Sequence, residues 1–187
     1  MMISEINECS AMEYFARLDP LVKPGTVLFV IGGSAVAVLG AKIRVTGDID
    51  VALPFSKLDM SGFAEASQKA GLPVNPVLGY QGAFVELIGP LMLTVPTPNE
   101  EAVVLFTGTN LTVKTGSAAD LVASKLYRCS EQDYEDIQFL VCAAGVRFEE
   151  VVASVSRLPE RFRDDVLIRD NLANLKTDME LWKELRQ

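Results

Sequence analysis

The sequence predicts an α+β (α/β) fold with a mixed-sheet core and a C-terminal helical bundle. Residues 27–31 form a continuous β-branched and aromatic run, which is typical of a strand buried on both faces. Helical and strand patterns alternate up to Thr115, and from Ser117 onward only helical patterns remain. We therefore expect an α/β core over residues 1–116 and a helical region over residues 117–187 that packs on it.

The first region has the predicted order α-β-α-β-α-β-β-β. In sequence these elements are a helix at 6–18, a strand at 27–31, a short alanine-rich helix to about Leu39, a strand at 48–53, a helix at 57–70, strands at 83–88 and 92–95, and a short edge pair within 103–115. Prolines and glycines mark most of the ends, because proline lacks an N–H and glycine accepts a left-handed C-cap. These are Pro20, Gly40, Pro54, Gly71 and the turn at Gly89-Pro90.

Two capping boxes open the helical region. Ser117 with Asp120, and Ser130 with Asp133, have the spacing at which both side chains satisfy free N–H groups of a first helical turn. Gly145 is expected to end the second of these helices. Further helices are predicted at 148–158 and 160–185, and the last one carries an apolar stripe that favours packing on the core.

Charge and composition limit the chemistry. The net charge is −8, and an acidic surface repels nucleic acid and anionic membrane in general, although an RNA end at a local basic groove stays possible. The chain has no histidine, which excludes Ser-His-Asp and Cys-His catalysis and most zinc sites. The absence of histidine therefore favours catalysis by carboxylates and divalent cations.

The cellular setting follows from weaker signals. Cys9, Cys129 and Cys142 are odd in number and match no metal motif, so we expect reduced thiols in a cytoplasmic protein. Residues 1–5 lack the basic start and apolar stretch of a signal peptide. The apolar run over 27–41 is too short to span a bilayer, which takes about 20 residues. No membrane partner is expected.

The chemistry is concentrated on two short segments. The first is the turn Gly32-Gly33-Ser34, and the second, thirteen residues further on, is Asp48-Ile49-Asp50. Side chains of a strand alternate between faces, so Asp48 and Asp50 are expected to point the same way. Two adjacent carboxylates repel each other unless a cation lies between them, and oxygen ligands suit Mg²⁺ or Mn²⁺.

The glycine turn complements this pair. Glycine lets the backbone turn sharply and approach a ligand, and Ser34 is expected to cap the next helix. Exposed N–H groups at a helix start bind anions. Each half alone is weak evidence, but together they supply what a metal-bound nucleoside triphosphate (NTP) requires. The chain has neither a Walker P-loop nor a dinucleotide fingerprint.

These residues resemble the signature of the nucleotidyltransferase superfamily. The segments 32–35 and 44–50 are similar to those of the abortive-infection (AbiE-type) toxin nucleotidyltransferases and of related uncharacterised bacterial proteins. A second block, residues 120–128 followed by 133–137, resembles that group's downstream Lys and Asp motifs.

The resemblance implies a role for each matching residue. Asp48 and Asp50 would be catalytic and would ligate one or two metal ions. A nucleotide-binding set would hold the triphosphate and organise the site: Gly32, Gly33, Ser34, Arg44, Thr46, Lys125, Asp133 and Asp136.

Two of the assignments have alternatives in which the residue has no role in the site. The superfamily's third carboxylate lies on a following strand and acts as a base toward the acceptor hydroxyl. Glu86 is the best candidate, but it is equally an edge-strand glutamate that faces water. Lys125 is expected to reach out of the helical layer toward phosphate, with Arg128 near it; otherwise both belong to a solvated helix face with Asp133 and Asp136 as surface partners.

The leading functional hypothesis is a metal-dependent nucleotidyltransferase that uses an NTP and an RNA end, a protein hydroxyl or a small molecule as acceptor. The resemblance implies a toxin–antitoxin or phage-defence setting with a possible cognate antitoxin. The alternative is a weak or inactive nucleotide-binding or antitoxin-like module, and a third is an interaction protein with a partner-binding helical tail. Which NTP is used and the oligomeric state stay open.

Overall fold

The computed structural model describes residues 3–42 and 44–184. The chain forms two compact units. One comprises the described residues up to Leu93 together with Ala102–Thr115, and the other comprises Thr94–Glu101 and the described residues from Gly116 onward.

A five-stranded mixed sheet forms the centre of the first unit. Its strands are β1 (Thr26–Ile31), β2 (Asp48–Ala52), β3 (Phe84–Ile88), β4 (Val103–Thr107) and β5 (Leu111–Thr115). They lie in the order β3-β2-β1-β5-β4. The strand β1 is antiparallel to β2 and parallel to β5, β2 is parallel to β3, and β4 is antiparallel to β5.

Three helices accompany this sheet, and proline and glycine set several of their ends. They are α1 (Glu8–Leu18), α2 (Gly32–Val38) and α3 (Met60–Ala70). A 3-10 turn that contains Pro20 follows α1, and Gly71 ends α3 at φ 113°. The Tyr14 hydroxyl of α1 and the Ser67 hydroxyl of α3 share a buried 2.7 Å hydrogen bond, which joins the two helices.

The apolar pattern of the central strands places the core. Leu28 and Val30 of β1 are fully buried, and so are Ile49 and Val51 of β2. The partly exposed residues of β2 are Asp48 and Asp50, which alternate with the buried pair. The strand therefore has one apolar face and one acidic face, as the sequence predicted.

The second unit is helical. Its helices are α4 (Ala118–Lys125), α5 (Glu131–Ala144), α6 (Phe148–Val155), α7 (Glu160–Arg163) and α8 (Val166–Glu184). Both predicted capping boxes are formed, at Ser117 and at Ser130, and Gly145 ends α5 at φ 68°. No helix in the described parts of the chain is long and apolar enough to cross a membrane.

Four sequence-based predictions of elements are wrong, and one of them is the helix predicted at 148–158, which ends at Val155. Residues 92–95 form no strand, since Met92 closes a turn by donating its N–H to Gly89 O at 3.1 Å. The helix predicted at 57–70 begins only at Met60. The helix predicted at 160–185 is interrupted between α7 and α8, and its last predicted residue lies outside the described residues. The mixed α/β fold class itself is confirmed.

Candidate metal and nucleotide site

Neighbouring strands bring three acids together. Asp48 and Asp50 lie on the same face of β2, because side chains two residues apart on a strand point the same way. In the parallel ladder between β2 and β3, Asp50 lies opposite Glu86. The strand register therefore makes Glu86 the cross-strand neighbour of an acid that is distant in sequence.

The carboxylates form a compact cluster. One oxygen from each of Asp48, Asp50 and Glu86 lies within 4.8 Å of the others. Asp48 and Asp50 are half-buried, whereas Glu86 is exposed. The hydroxyl of Thr46 donates a 3.0 Å hydrogen bond to Asp48 Oδ1, which orients that carboxylate. Like charges at this separation repel one another, so the cluster favours a cation between them.

The donor set fits a divalent cation of the Mg²⁺ class. Hard cations take carboxylate oxygens at about 2.0–2.6 Å, so oxygens on opposite sides of one ion are about 4–5 Å apart. The 4.8 Å bound on the three oxygens is within that span. The ligand atoms are all carboxylate oxygens, which suit Mg²⁺, Ca²⁺ or Mn²⁺ better than softer metals.

The glycine turn lies directly against this cluster. Gly32 follows the last residue of β1 and has φ 68°, a conformation that side chains with a Cβ rarely adopt. A Cβ added at Gly32 would collide with Asp50 Oδ2. Glycine is thus required twice at this position, for the left-handed backbone and for the close approach of the carboxylate.

Arg44 adds a cation at the same turn. A Cβ placed on Gly33 would lie 2.5 Å from Arg44 Nη2, so the guanidinium rests against the first turn of α2. Its Nη1 donates a 2.5 Å hydrogen bond to the Val45 carbonyl. The positive charge that the sequence suggested before β2 is therefore located beside the glycine turn.

The predicted cap by Ser34 is wrong. The helix α2 begins at Gly32, three residues earlier than a Ser34 cap requires, and its N-cap residue is Ile31. Ser34 is buried, and its hydroxyl donates a 3.2 Å hydrogen bond to the Ile31 carbonyl. The hydroxyl therefore stabilises the strand-to-helix turn.

Replacement of Gly32 tests the close approach. Gly40 also has a positive φ, 103°, but a Cβ there meets nothing within 4 Å, which makes it a matched control. We expect Gly40→Ala to lower the free energy of unfolding by about 1–2 kcal/mol through backbone strain alone. Gly32→Ala should cost about 1 kcal/mol more, because the methyl group also has to turn the Asp50 carboxylate aside. Urea unfolding followed by circular dichroism measures both, and equal losses would contradict the collision.

The comparison with known families identifies this arrangement. A family described as "Nucleotidyltransferase of unknown function (DUF6036)" matches residues 11–157. The chain belongs to this nucleotidyltransferase family. The match covers the glycine turn, the three acids and the helices α4 and α5. No curated protein and no solved structure shows a significant match to the chain.

Family membership confirms the predicted superfamily. It also agrees with the acid cluster, since a nucleotidyltransferase family suggests a divalent metal and an NTP substrate.

A second charged cluster lies in the helical unit. The ammonium of Lys125 lies 3.1 Å from Asp133 Oδ1 and 2.7 Å from Asp136 Oδ2. Arg128 donates to both oxygens of Asp133, at 2.6 and 2.7 Å. Ser130 joins through its own hydroxyl, which donates to Asp133 Oδ2 at 2.8 Å.

Burial of this cluster corrects the sequence-based expectation. Lys125 is 5% exposed, and Asp133 and Asp136 are 1% and 3% exposed. Lys125 does not reach out of the helical layer, nor do the two acids lie on a solvated face; only Arg128 remains exposed. A phosphate contact by Lys125 stays a prediction, and it would require the ammonium to leave two buried carboxylates.

The pKa of Asp133 predicts how stability depends on pH. Burial raises this pKa, but the hydrogen bonds from Arg128, the charge of Lys125 and the Ser130 hydroxyl outweigh burial and hold it well below its usual range. The folded state thus binds fewer protons than the unfolded state, where an aspartate titrates near pH 3.9. The stabilisation is complete above that pH and is lost as the pH falls below about 4.

Denaturant unfolding between pH 6 and pH 2.5 measures this loss. We expect Asp133→Asn to be less stable than the wild type at pH 6 and the difference to narrow as the pH falls. A difference that stays constant with pH would show that the charge of Asp133 is not what stabilises the fold.

A third network was missed by sequence reasoning. Asp120 was predicted as a capping residue and as the first residue of the second motif block, yet its Oδ1 also accepts a 2.7 Å bond from Ser154 and a 2.5 Å bond from Arg157. Arg157 also donates to the Thr97 carbonyl at 2.6 Å. These partners come from separate parts of the sequence, and no local spacing points to them.

Proposed function

We propose that this protein is a metal-dependent nucleotidyltransferase that transfers a nucleotidyl group from an NTP to an acceptor hydroxyl. The single observation that carries the proposal is the cluster of Asp48, Asp50 and Glu86 against the Gly32 turn. Family membership supports the transfer class. Mg²⁺ or Mn²⁺ is the proposed ion, since the ligand atoms that Asp48 and Asp50 offer are carboxylate oxygens.

Each acid has a proposed role in the transfer. Asp48 and Asp50 hold the cation, which supplies charge neutralisation for the phosphates when it is bound. Glu86, the most exposed of the three, accepts the proton of the acceptor hydroxyl. The hydroxyl oxygen then forms a bond to the α-phosphorus, the bond from that phosphorus to the bridging oxygen breaks, and pyrophosphate leaves.

The position of Glu86 favours catalysis over nucleotide binding alone. The sequence left open whether Glu86 is a third acid or an edge-strand residue in water. β3 lies at the end of the strand order and Glu86 is exposed, yet its carboxylate also joins the other two. A module that only binds nucleotide has no need of a third acid at the acceptor side of a metal site.

The nucleotide contacts are proposed residue by residue. Backbone N–H groups at Gly32, Gly33 and Ser34 would hold phosphate oxygens, helped by the Arg44 guanidinium beside Gly33. Thr46 would act by orienting Asp48.

The nucleotide-binding set that the resemblance implies also contains Lys125, Asp133 and Asp136. These three residues act by ordering the helices α4 and α5. Their mutual ion pairs support that role.

The biological setting is proposed from the AbiE-type resemblance alone. Segments 32–35 and 44–50 carry it, and it suggests a toxin–antitoxin or phage-defence role with a cognate antitoxin. An RNA end, a protein hydroxyl and a small molecule are the candidate acceptors in such a role.

A labelling experiment tests the proposed function. The full chain is incubated with each of the four NTPs labelled at the α-phosphate, with Mg²⁺ or Mn²⁺, and with total RNA, a protein extract or a metabolite extract. We expect label to enter one acceptor class with release of an equal amount of pyrophosphate. If no NTP binds and no pyrophosphate appears with either cation, the proposal is wrong.

A further inference from the structure

A groove of about 330 Å³ adjoins the acid cluster on the β3 side. Its wall includes Glu86 and Phe84 of β3, and the loop over residues 75–80 forms the opposite side. Glu86 therefore belongs both to the acid cluster and to the groove. A compound in the groove would have direct access to the carboxylate that we assign to the acceptor.

The loop that forms the groove is anchored at both ends. Asn75 donates its N–H to Val85 O at 2.9 Å, and its side-chain oxygen accepts from Leu87 N at 2.9 Å. Asn75 has φ 43°, which asparagine tolerates, and the chain turns away from β3 there. At the other end the Tyr80 ring packs edge-on against Phe84, with centroids 6.5 Å apart.

Between these anchors two apolar side chains remain unpacked. Val77 is 83% exposed and Leu78 is fully exposed, although both line the groove. A held loop that presents apolar side chains next to a polar site is typical of a ligand-binding wall. An apolar body in the groove would cover both.

The charges of the groove limit its occupant. Among the residues that the structure describes, the lining contains no lysine or arginine, and its one charged residue is Glu86. A phosphate-bearing acceptor such as an RNA end would find no cation there and one carboxylate that repels it. The size is at the lower end of small-molecule sites, and two exposed apolar side chains are far fewer than a protein interface requires.

We propose that this groove binds the acceptor, and that the acceptor is an uncharged small molecule with an aromatic body and a hydroxyl group. The ring lies against Val77, Leu78 and the Tyr80–Phe84 pair, and the hydroxyl donates to Glu86. The assignment of the bound compound as the acceptor rests on the proposed function. The groove as a binding site is independent of turnover.

The test uses 4-ethylphenol as a phosphate-free probe and 4-ethylphenyl phosphate as its charged counterpart. Binding to the full chain is followed by amide chemical shifts in ¹H–¹⁵N spectra. We expect saturable shifts at residues 77–80 and 84–87 with 4-ethylphenol, and at least fivefold weaker binding of the phosphate. Leu78→Ser should weaken 4-ethylphenol about fivefold or more.

Leu91→Ser is the matched control, because Leu91 is 80% exposed but does not line the groove. It should change the affinity less than twofold. Equal losses in the two variants, or no saturable shift in the wild type, would overturn the proposal. Tighter binding of uridine monophosphate than of 4-ethylphenol would overturn the proposal in favour of an RNA acceptor. Tighter binding of a tyrosyl peptide would overturn it in favour of a protein acceptor.

A competition experiment separates this inference from the proposed function. ATP with Mg²⁺ should leave 4-ethylphenol in the groove; its displacement would assign the groove to the nucleotide and reject the acceptor role. If 4-ethylphenol binds as expected but no NTP binds, the transferase proposal fails while the groove stands as a binding site. If NTP turns over but 4-ethylphenol does not bind, only the groove proposal fails.

Discussion

Asp50→Asn is expected to lower nucleotidyl transfer at least about 1,000-fold, which corresponds to about 4 kcal/mol of transition-state stabilisation. Asp50 is the centre of the acid cluster, because it pairs with Ile31 of β1 on one side and with Glu86 of β3 on the other. An amide keeps the shape of the side chain but removes the charge that holds the cation. The transfer rate with α-labelled NTP measures the effect.

A cation should stabilise the wild type but not this variant. Asp48, Asp50 and Glu86 each offer one oxygen within 4.8 Å of the others, and Asp50→Asn removes one of the three carboxylates. The melting temperature of each protein in a chelator is the reference for its cation titration. Mg²⁺ or Mn²⁺ should raise the melting temperature of the wild type but not that of Asp50→Asn.

Glu65→Gln provides the matched control for Asp50→Asn. It makes the same carboxylate-to-amide change in the same unit, but Glu65 is an exposed residue of α3 in an i,i+4 pair with Lys69. Transfer and the cation-dependent melting shift should both stay at the wild-type level. Wild-type transfer by Asp50→Asn, or an equal loss in Glu65→Gln, would refute the role of the acid cluster.

The sequence contained the local parts of this site. Alternation along a strand placed Asp48 and Asp50 on one face of β2, because two adjacent residues of a strand always point in opposite directions. Both capping boxes were predictable for the same reason, since their partners are three residues apart. These patterns depend on backbone geometry over a few residues.

Contacts between distant segments could not be predicted in this way. The register that places Glu86 opposite Asp50 depends on how β2 and β3 align, and the sequence left Glu86 undecided. Gly32 was assigned a sharp turn, but a side chain there would collide with the carboxylate of Asp50, which lies eighteen residues later in the chain. Residues 92–95 form no strand, because the turn at Gly89 outweighs their local β propensity.

Lys125→Met is expected to lower the free energy of unfolding by about 3–5 kcal/mol. Its ammonium lies between Asp133 and Asp136, both almost fully buried, and methionine matches its length without the charge. Loss of the cation leaves two carboxylates close together in a region of low polarity. Denaturant unfolding at pH 7 measures the change.

Lys69→Met provides the control with the same substitution at an exposed ion pair. Lys69 bonds to Glu65 at 2.6 Å, shorter than either Lys125 contact, but its side chain is 62% exposed. Water screens such a pair, so we expect a loss below about 1 kcal/mol. The contrast between the two lysines tests whether burial, and not distance, decides the value of these ion pairs.

A second substitution distinguishes a structural role of Lys125 from a phosphate contact. If the cost of Lys125→Met comes from unbalanced buried charge, adding Asp136→Asn should restore part of the lost stability, because one of the two acids becomes neutral. A lysine needed for phosphate would instead show near-wild-type stability in Lys125→Met, weakened NTP binding, and no recovery with Asp136→Asn. The burial of all three side chains favours the first outcome.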